Sequence, residues 1–430
     1  MPSSLSATLS PMVYVAAVSD FTLPVFEAVM TRRPSHVLLL VSEGFNAARE
    51  GAVRLQAQLE KELPGIRVHR SDTEPSDCKL LGQDFDSLQT WISRVLVPML
   101  ERPVFAGLSR RFNMTGGTKA MSLALATGLH WDRIDYKPDG QAALQEFCLD
   151  TGQFPGDRAI HRIHSVPLFK TTPLQVALLY NNDAYQDPEN RISLHPGSTP
   201  LAIKIEEALT RGDAGLKELF AALERLWGPE SGHGKTRNRP VTVSWQEFLG
   251  DKHAPSEHLT AWLEAFQRLA PEVITMDQQG VTLPTRNSRS GLSKDFMRWV
   301  SGHWLEQLAD HWLQQQGVPA SAIVRNLKVG RDHRISESQR ETDLLIYWNG
   351  QATLVEVKAD LPPGGKPSDL ERQVSSLQQR FGKTRKVLLT GPQLKQKLEP
   401  RGSWERFAMQ CATASVLLCW DKASFWKAVT

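Results

Sequence analysis

Two carboxylates and a lysine in the segment Glu341 to Lys358 (ETDLLIYWNGQATLVEVK) have the types and spacing for phosphodiester chemistry. Asn349-Gly350 between two apolar, β-rich runs predicts a hairpin, because a type I′ turn needs positive φ at both central positions. Trp348 then faces Gln351, and counting back along both strands Asp343 faces Glu356. Facing residues of an antiparallel pair hold their Cβ atoms about 4.5 to 5.5 Å apart on one face of the sheet, so two like charges there repel. A hard divalent cation such as Mg²⁺ or Mn²⁺, which chooses oxygen ligands, removes the conflict. Lys358 lies two residues beyond Glu356 and shares its face. A cation between the carboxylates lowers the pKa of a water and neutralises charge developing on a phosphate, while the ammonium orients the nucleophile or stabilises the pentavalent state. A lone E-x-K is common by chance, but Leu354, Val355 and Val357 surround Glu356 with apolar side chains on both faces, as in a buried strand. Asp343 and Glu356 are therefore expected to hold the metal, with Lys358 as catalytic partner.

A second motif is Asn113-Met114-Thr115-Gly116-Gly117-Thr118-Lys119, ahead of a helix expected from Met121 to Leu129. Paired glycines let backbone approach a ligand closely, and the free N–H groups of a helix start attract phosphate. Thr118 suits the N-cap and Lys119 adds a positive charge. The residue order fits neither a Walker A loop nor a G-x-G-x-x-G dinucleotide turn. A turn of this kind also serves purely structural ends.

These motifs need elements to position them. From Met12 to about Cys148, short apolar runs (Met12–Val18, His36–Val41, Ile66–His69, Pro103–Gly107) alternate with helical stretches (Ala47–Leu63, Asp86–Leu100). That alternation predicts an α/β unit with a parallel sheet covered on both faces, whose ligands sit in the loops at the carboxyl ends of the strands. Residues 156–290 are less regular and read as a mostly helical connecting region. Asp213 caps a helix with Leu216, Leu219, Phe220, Leu223 and Leu226 on one face, and Leu259, Trp262, Leu263 and Phe266 make a second stripe. Gly228–Pro240 has linker composition, and a helix followed by a hairpin over Ile274–Leu283, turning at Gln279-Gly280, has the outline of a winged-helix element. From 291 to 430 a long helix to about Gln316, a strand near Ala322–Val329, the Asn349-Gly350 hairpin, a helix opened by the capping box Ser368-x-x-Glu371, a strand at Lys386–Thr390 and a closing strand and helix (Ser415–Thr430) make another α/β unit.

The composition bounds the reading. The chain has 430 residues, 50 Lys+Arg against 47 Asp+Glu, and 41 % hydrophobic residues, which is globular and too long for one core. The near-neutral total is uneven: residues 291–430 carry 20 basic and 14 acidic side chains, so a polyanion is drawn first to that part. The four cysteines lack any CxxC spacing, no apolar run approaches the roughly 20 residues that span a bilayer, and no basic leader opens the chain. A cytoplasmic protein without membrane contact is expected.

The last unit resembles the PD-(D/E)xK restriction-endonuclease-like superfamily: a helix, a strand, then Asp343 and Glu356-Val357-Lys358 on successive strands, then a helix. The resemblance implies a metal-dependent nuclease and assigns Glu306, on the first helix, as a further catalytic acid; Gln373 matches a position that approaches the substrate backbone. Thr342 stands where the family carries proline. Arg298-x-x-x-x-His303 also has the spacing of the HEPN ribonuclease motif, but among 12 histidines such a spacing arises by chance.

The first unit, 1–155, resembles the CARF domains of CRISPR-associated proteins, through the Asn113–Lys119 turn and a first strand ending in Ser19-Asp20. The resemblance implies a Rossmann-like homodimeric domain that binds a cyclic oligoadenylate, foremost cyclic tetra-adenylate, through Ser19, Asp20, Asn113, Thr115, Gly116, Gly117, Thr118 and Lys119. A two-fold symmetric ring suits a two-fold symmetric dimer. Together the resemblances imply a type III CRISPR ancillary nuclease that cuts DNA or RNA when the activator binds. The competing reading is a ligand-responsive DNA-binding regulator on a non-catalytic nuclease scaffold, and a nuclease without an activator leaves the Asn113–Lys119 turn unexplained.

Overall fold

The computed structural model describes residues 8–43, 46–73, 80, 84–138, 141–151, 158–180, 184–186, 192–227, 240–250, 254–284, 291–329, 340–359, 384–399 and 402–430. The linker over 228–239, the capping box at Ser368 and the position of Gln373 lie outside them. The architecture is α/β, in agreement with the alternation of apolar runs and helices.

The first sheet has seven strands: β1 (Ser10–Val18), β2 (Pro34–Val41), β3 (Arg67–Arg70), β4 (Ser109–Asn113), β5 (Arg133–Tyr136), β6 (Ala143–Thr151) and β7 (Arg158–Pro167). Their order is β3-β2-β1-β4-β5-β6-β7, parallel through β5 and antiparallel beyond. The chain moves outward from β1 to β3 on one side, then returns to lay β4 against β1 on the other. The strand order therefore reverses between β1 and β4, the switch point at whose carboxyl ends open α/β sheets bind their ligands.

Two expectations are corrected here. Pro103–Gly107 is not the strand before the glycine turn: Pro103–Phe105 is a short 3₁₀ turn, as suits a proline with no N–H to donate, and the strand is Ser109–Asn113. Its two arginines disguise it. Arg111 Nη1 lies 3.0 Å from Asp135 Oδ1 and 2.6 Å from Glu146 Oε2, and Arg32 and the Tyr14 hydroxyl complete the shell around the fully buried Asp135. Second, β7 extends this sheet to Pro167, past residue 155. The described part of 156–290 holds five helices with short strands among them, the hairpin Ile274–Leu283 included.

One of those strands, β8 (Ala184–Gln186), is the edge of a second sheet far along the chain. The others are β9 (Val241–Ser244), β10 (Thr275–Met276) and β11 (Gly280–Leu283), in the order β10-β11-β9. With helices Ala214–Trp227, Trp245–Leu249 and Glu257–Leu269 between and before them, this is winged-helix connectivity around the expected hairpin. The helix in the reading position exposes Glu257, Ala261, Glu264 and Arg268, a face without the positive excess that a phosphate backbone needs. The Asp213 cap is present, donating nothing and accepting from Leu216 N at 2.8 Å.

The second sheet continues with β12 (Ile323–Val329), β13 (Arg340–Trp348), β14 (Gln351–Lys358), β15 (Arg385–Thr390) and β16 (Leu417–Cys419), in the order β16-β15-β14-β13-β12-β8. One face of the β13-β14 hairpin (Leu344, Ile346, Val355, Val357) joins a core shared with Trp304, Leu308 and the winged-helix unit, including Leu216, Leu259 and Phe266. The other face (Leu345, Tyr347, Ala352, Leu354) packs into the core of the first sheet's helix Leu23–Arg32, with Val25, Phe26 and Val29. The hairpin is thus a wall common to two cores. Among the described residues no helix is long and apolar enough to cross a membrane.

Candidate functional sites

The hairpin turn has the expected chemistry: φ is 50° at Asn349 and 76° at Gly350. The register follows from it. Trp348 pairs with Gln351 and Leu344 with Val355, so the next facing positions are Asp343 and Glu356. Asp343 turns back onto the opposite strand, where its Oδ2 accepts from Val357 N at 2.6 Å. Lys358 Nζ lies 2.7 Å from Glu356 Oε1 and 3.8 Å from Asp343 Oδ2. Burial works against this ammonium, but Asp343, Glu356 and then Glu306 outweigh it and hold the lysine well above its usual range. Asp343, Glu356 and Lys358 are therefore brought together, while Glu306, 7 % exposed on the helix Trp304–Gln315, adds to the negative field at the ammonium.

The fit of a divalent cation can be judged from these donors. Two carboxylates from facing strands converge on one positive charge, which is the charge a hard cation would replace, and every donor is oxygen. Among the described residues no three His, Cys, Asp or Glu side chains stand close enough to cage a metal. The donor set thus fits a cation that is held by one carboxylate pair and keeps much of its own water, as Mg²⁺ does.

The sequence reading missed one member of this site. Within Trp299–His303 the long helix expected to run to about Gln316 is broken: Gly302 lies outside helical geometry, and two helices meet there at a kink. The kink stands between Arg298 and the helix Trp304–Gln315, and His303 is the residue that enters that helix beside Glu306. His303 Nε2 lies 3.7 Å from Glu306 Oε1. Burial first, then the charges of Arg298 and Lys358, lower the imidazole pKa to about 4. The folded protein therefore refuses a proton that the unfolded chain accepts below about pH 6.5. Stability from this residue is complete above pH 6.5 and is lost as pH falls toward 4, by at most about 3 kcal/mol. Urea unfolding at pH 7.5 and pH 5 is expected to show that loss in the wild type and a smaller one in His303→Gln; equal losses would dismiss the effect.

The second candidate site lies at the carboxyl ends of β1 and β4, where Ala16 pairs with Asn113. Ser19 Oγ accepts from Phe21 N at 3.2 Å, and Asp20 is exposed. Asn113 is fully buried; its Oδ1 accepts from Thr115 N at 2.8 Å, and its Nδ2 has no hydrogen-bond partner among the described residues. Gly116 presses on β1: a Cβ there would stand 2.0 Å from Ala17 O. Gly117 has φ +78°, and a Cβ on it would stand 2.7 Å from Ala17 Cβ. Thr118 caps the helix Lys119–Gly128, accepting from Met121 N at 3.2 Å, and Lys119 is exposed. The turn thus sets the start of its helix at the carboxyl ends of β1 and β4, with Gly116 and Gly117 both needed for the close approach to Ala17. A turn that offers backbone N–H groups and one exposed ammonium is suited to an anion.

No family model matches the chain, and no curated protein matches it in sequence. Solved structures do match in shape. Protein VC1899 from Vibrio cholerae shares 15 % identity, covers 97 % of this chain and 96 % of its own, and superposes with a TM-score of 0.67. Can2 from Sulfobacillus thermosulfidooxidans, solved in complex with cyclic tetra-adenylate, shares 16 % identity over 97 % of this chain and 96 % of its own, with a TM-score of 0.61. Nearly the whole chain, both candidate sites included, is thus built on the α/β architecture of those two proteins.

Proposed function

We propose that this chain is a metal-dependent nuclease of CARF and PD-(D/E)xK organisation, switched on by a cyclic oligoadenylate in type III CRISPR defence. The observation that carries the proposal is the convergence of Asp343 and Glu356 on the Lys358 ammonium, in a fold shared end to end with a protein solved with cyclic tetra-adenylate. Asp343 and Glu356 hold Mg²⁺ or Mn²⁺. When bound, the cation supplies Lewis-acid charge to the phosphodiester and its attacking water. Lys358, released from Glu356, places its ammonium on the phosphate oxygens as negative charge builds. Glu306 keeps that ammonium charged, and His303, neutral at physiological pH, adds no repulsion. The excess of basic residues in 291–430 draws in DNA or RNA.

The activator sits at the β1–β4 switch point, on Ser19, Asp20, Asn113, Thr115, Gly116, Gly117, Thr118 and Lys119. Its phosphates take the backbone N–H groups of the turn and Lys119, and the Asn113 amide gains the acceptor it lacks among the described residues. A homodimer presents two such sites to one ring. The test is cleavage of plasmid, single-stranded DNA and RNA with Mn²⁺ or Mg²⁺, with and without cyclic tetra-adenylate, beside Glu356→Ala. Activator-dependent cutting lost in the variant is expected. Cutting that ignores the activator removes the gating, cutting retained by Glu356→Ala removes the site, and no cutting at all supports the regulator.

A further inference from the structure

The proposed function leaves open how the β1–β4 switch point reaches the hairpin, and a buried polar cluster joins them. Glu27 lies on the helix Leu23–Arg32, which begins three residues after Asp20 and is 1 % exposed at this position. Lys137 follows β5, and its backbone N–H donates to Thr115 Oγ1, in the glycine turn, at 2.8 Å. The two side chains meet: Lys137 Nζ lies 2.9 Å from Glu27 Oε2. On the far side the pair grips the catalytic hairpin. The Tyr347 hydroxyl donates to Glu27 Oε1, and Lys137 Nζ lies 3.4 Å from the Gly350 carbonyl. Thr171 adds a longer contact to Glu27 at 3.4 Å.

Tyr347 is on β13, four residues from Asp343 and on the same face, since the side-chain period is two. At about 3.4 Å per residue the tyrosine hydroxyl's strand position and the carboxylate's are roughly 14 Å apart along one strand. Between them stand only Leu345 and its facing Leu354, both buried in the core shared with the helix of Glu27. A cavity of about 330 Å³, lined by Glu27, Phe169, Thr171, Tyr347 and Trp348, borders the cluster and leaves it room to rearrange.

We infer that Glu27, Lys137 and Tyr347 are the coupling element between the two sites: positioning residues through which ligand at the β1–β4 switch point sets the placement of the β13–β14 carboxylates. Both expected activator loops end on this cluster, one through the helix of Glu27 and the other through the Thr115–Lys137 bond. A buried, mutually bonded set of polar groups moves as a unit, because leaving any member unpaired costs its full desolvation. A shift at the switch point is therefore carried to Tyr347 rather than absorbed. The inference rests on the activator-gated reading and specifies its wiring.

The experiment uses the full chain with Tyr347→Phe, which removes one oxygen, with Glu27→Gln, which keeps the shape, and with both together. Three quantities are read: affinity for cyclic tetra-adenylate, the ratio of cleavage rates with and without it, and the melting temperature. Expected are activator affinities within about threefold of wild type, a stimulation ratio reduced at least tenfold by each single change, and a double variant no worse than the worse single, as for groups acting as one unit. Where the activator also tightens the binding of uncleaved substrate in Mn²⁺, substrate tightens activator binding by the same factor, and both variants are expected to shrink that mutual tightening. Wild-type stimulation retained by both single variants, or losses that simply add, would overturn the coupling alone. A wild-type chain whose cutting ignores the activator overturns the gating and the coupling together. A merely structural role predicts lower melting temperatures with an unchanged stimulation ratio, which also overturns it.

Discussion

Lys358→Met is expected to lower activator-stimulated cleavage by two to three orders of magnitude, as removal of a preorganised charge from a developing oxyanion does. It is also expected to destabilise the metal-free protein. In the wild type the ammonium lies 2.7 Å from Glu356 and 3.8 Å from Asp343, and Glu306 is close enough to help hold it charged. Removing it leaves carboxylates facing one another in a site where Glu356 is 7 % exposed. Breaking a buried ion pair from one side costs about 3 to 5 kcal/mol, and because Lys358 itself is 26 % exposed the expectation falls just below that range, at about 2 to 3 kcal/mol. The two effects part company when cation is added. Mn²⁺ supplies the missing charge, so thermal melts in Mn²⁺ should recover most of the stability lost in EDTA, while cleavage stays low. Lys358→Arg should keep the stability without restoring the rate, since a planar guanidinium does not reproduce a point charge. Wild-type cleavage by Lys358→Met would remove the lysine from the chemistry. A melting temperature indifferent to Mn²⁺ in that variant would remove the carboxylate pair as the cation's seat.

The parts of this site that the sequence disclosed are those set by local rules. Asn349-Gly350 dictates its own turn, the turn dictates the register, and the register puts Asp343 opposite Glu356 with Lys358 on the same face. The glycine turn was legible for a similar reason, because Gly116 and Gly117 tolerate what no other residue could beside Ala17. What stayed hidden depends on partners distant in sequence. The strand Ser109–Asn113 reads as polar, since the ions that neutralise Arg111, Asp135 and Glu146, lie 24 and 35 residues on. The edge strand Ala184–Gln186 exists only because Lys328 and Val329 offer it a ladder. The kink at Gly302 is invisible to a period-3.6 reading of one continuous helix, and His303, next to it, stands 3.7 Å from Glu306. The winged-helix connectivity was half legible: its hairpin was read, its third strand Val241–Ser244 was not.

Gly116→Ala is expected to abolish activator binding, with a loss of at least a hundredfold, and to cost about 3 kcal/mol of stability. A methyl at that position would stand 2.0 Å from Ala17 O and 3.1 Å from Ala17 C, both backbone atoms of the central strand β1. Forcing extra volume against side chains costs about 1 to 3 kcal/mol because they can turn aside. Here the obstacle is a carbonyl in a strand hydrogen-bonded on both sides, to β2 and to β4, so the turn itself must retreat. Its retreat drags Thr115 from Lys137 N, tilts the cap that Thr118 places on the helix Lys119–Gly128, and spoils the row of N–H groups at the helix start. Lys119→Ala separates charge from geometry. Lys119 is exposed and supports no packing, so its loss should weaken activator binding by about tenfold, more at low salt than at high, and leave the melting temperature unchanged. Calorimetric titration of cyclic tetra-adenylate into both variants, with melts of each, reads all four expectations. Tight binding retained by Gly116→Ala would show that the ligand does not use this turn. Equal destabilisation by the two variants would show that the turn tolerates bulk which a contact of 2.0 Å should forbid.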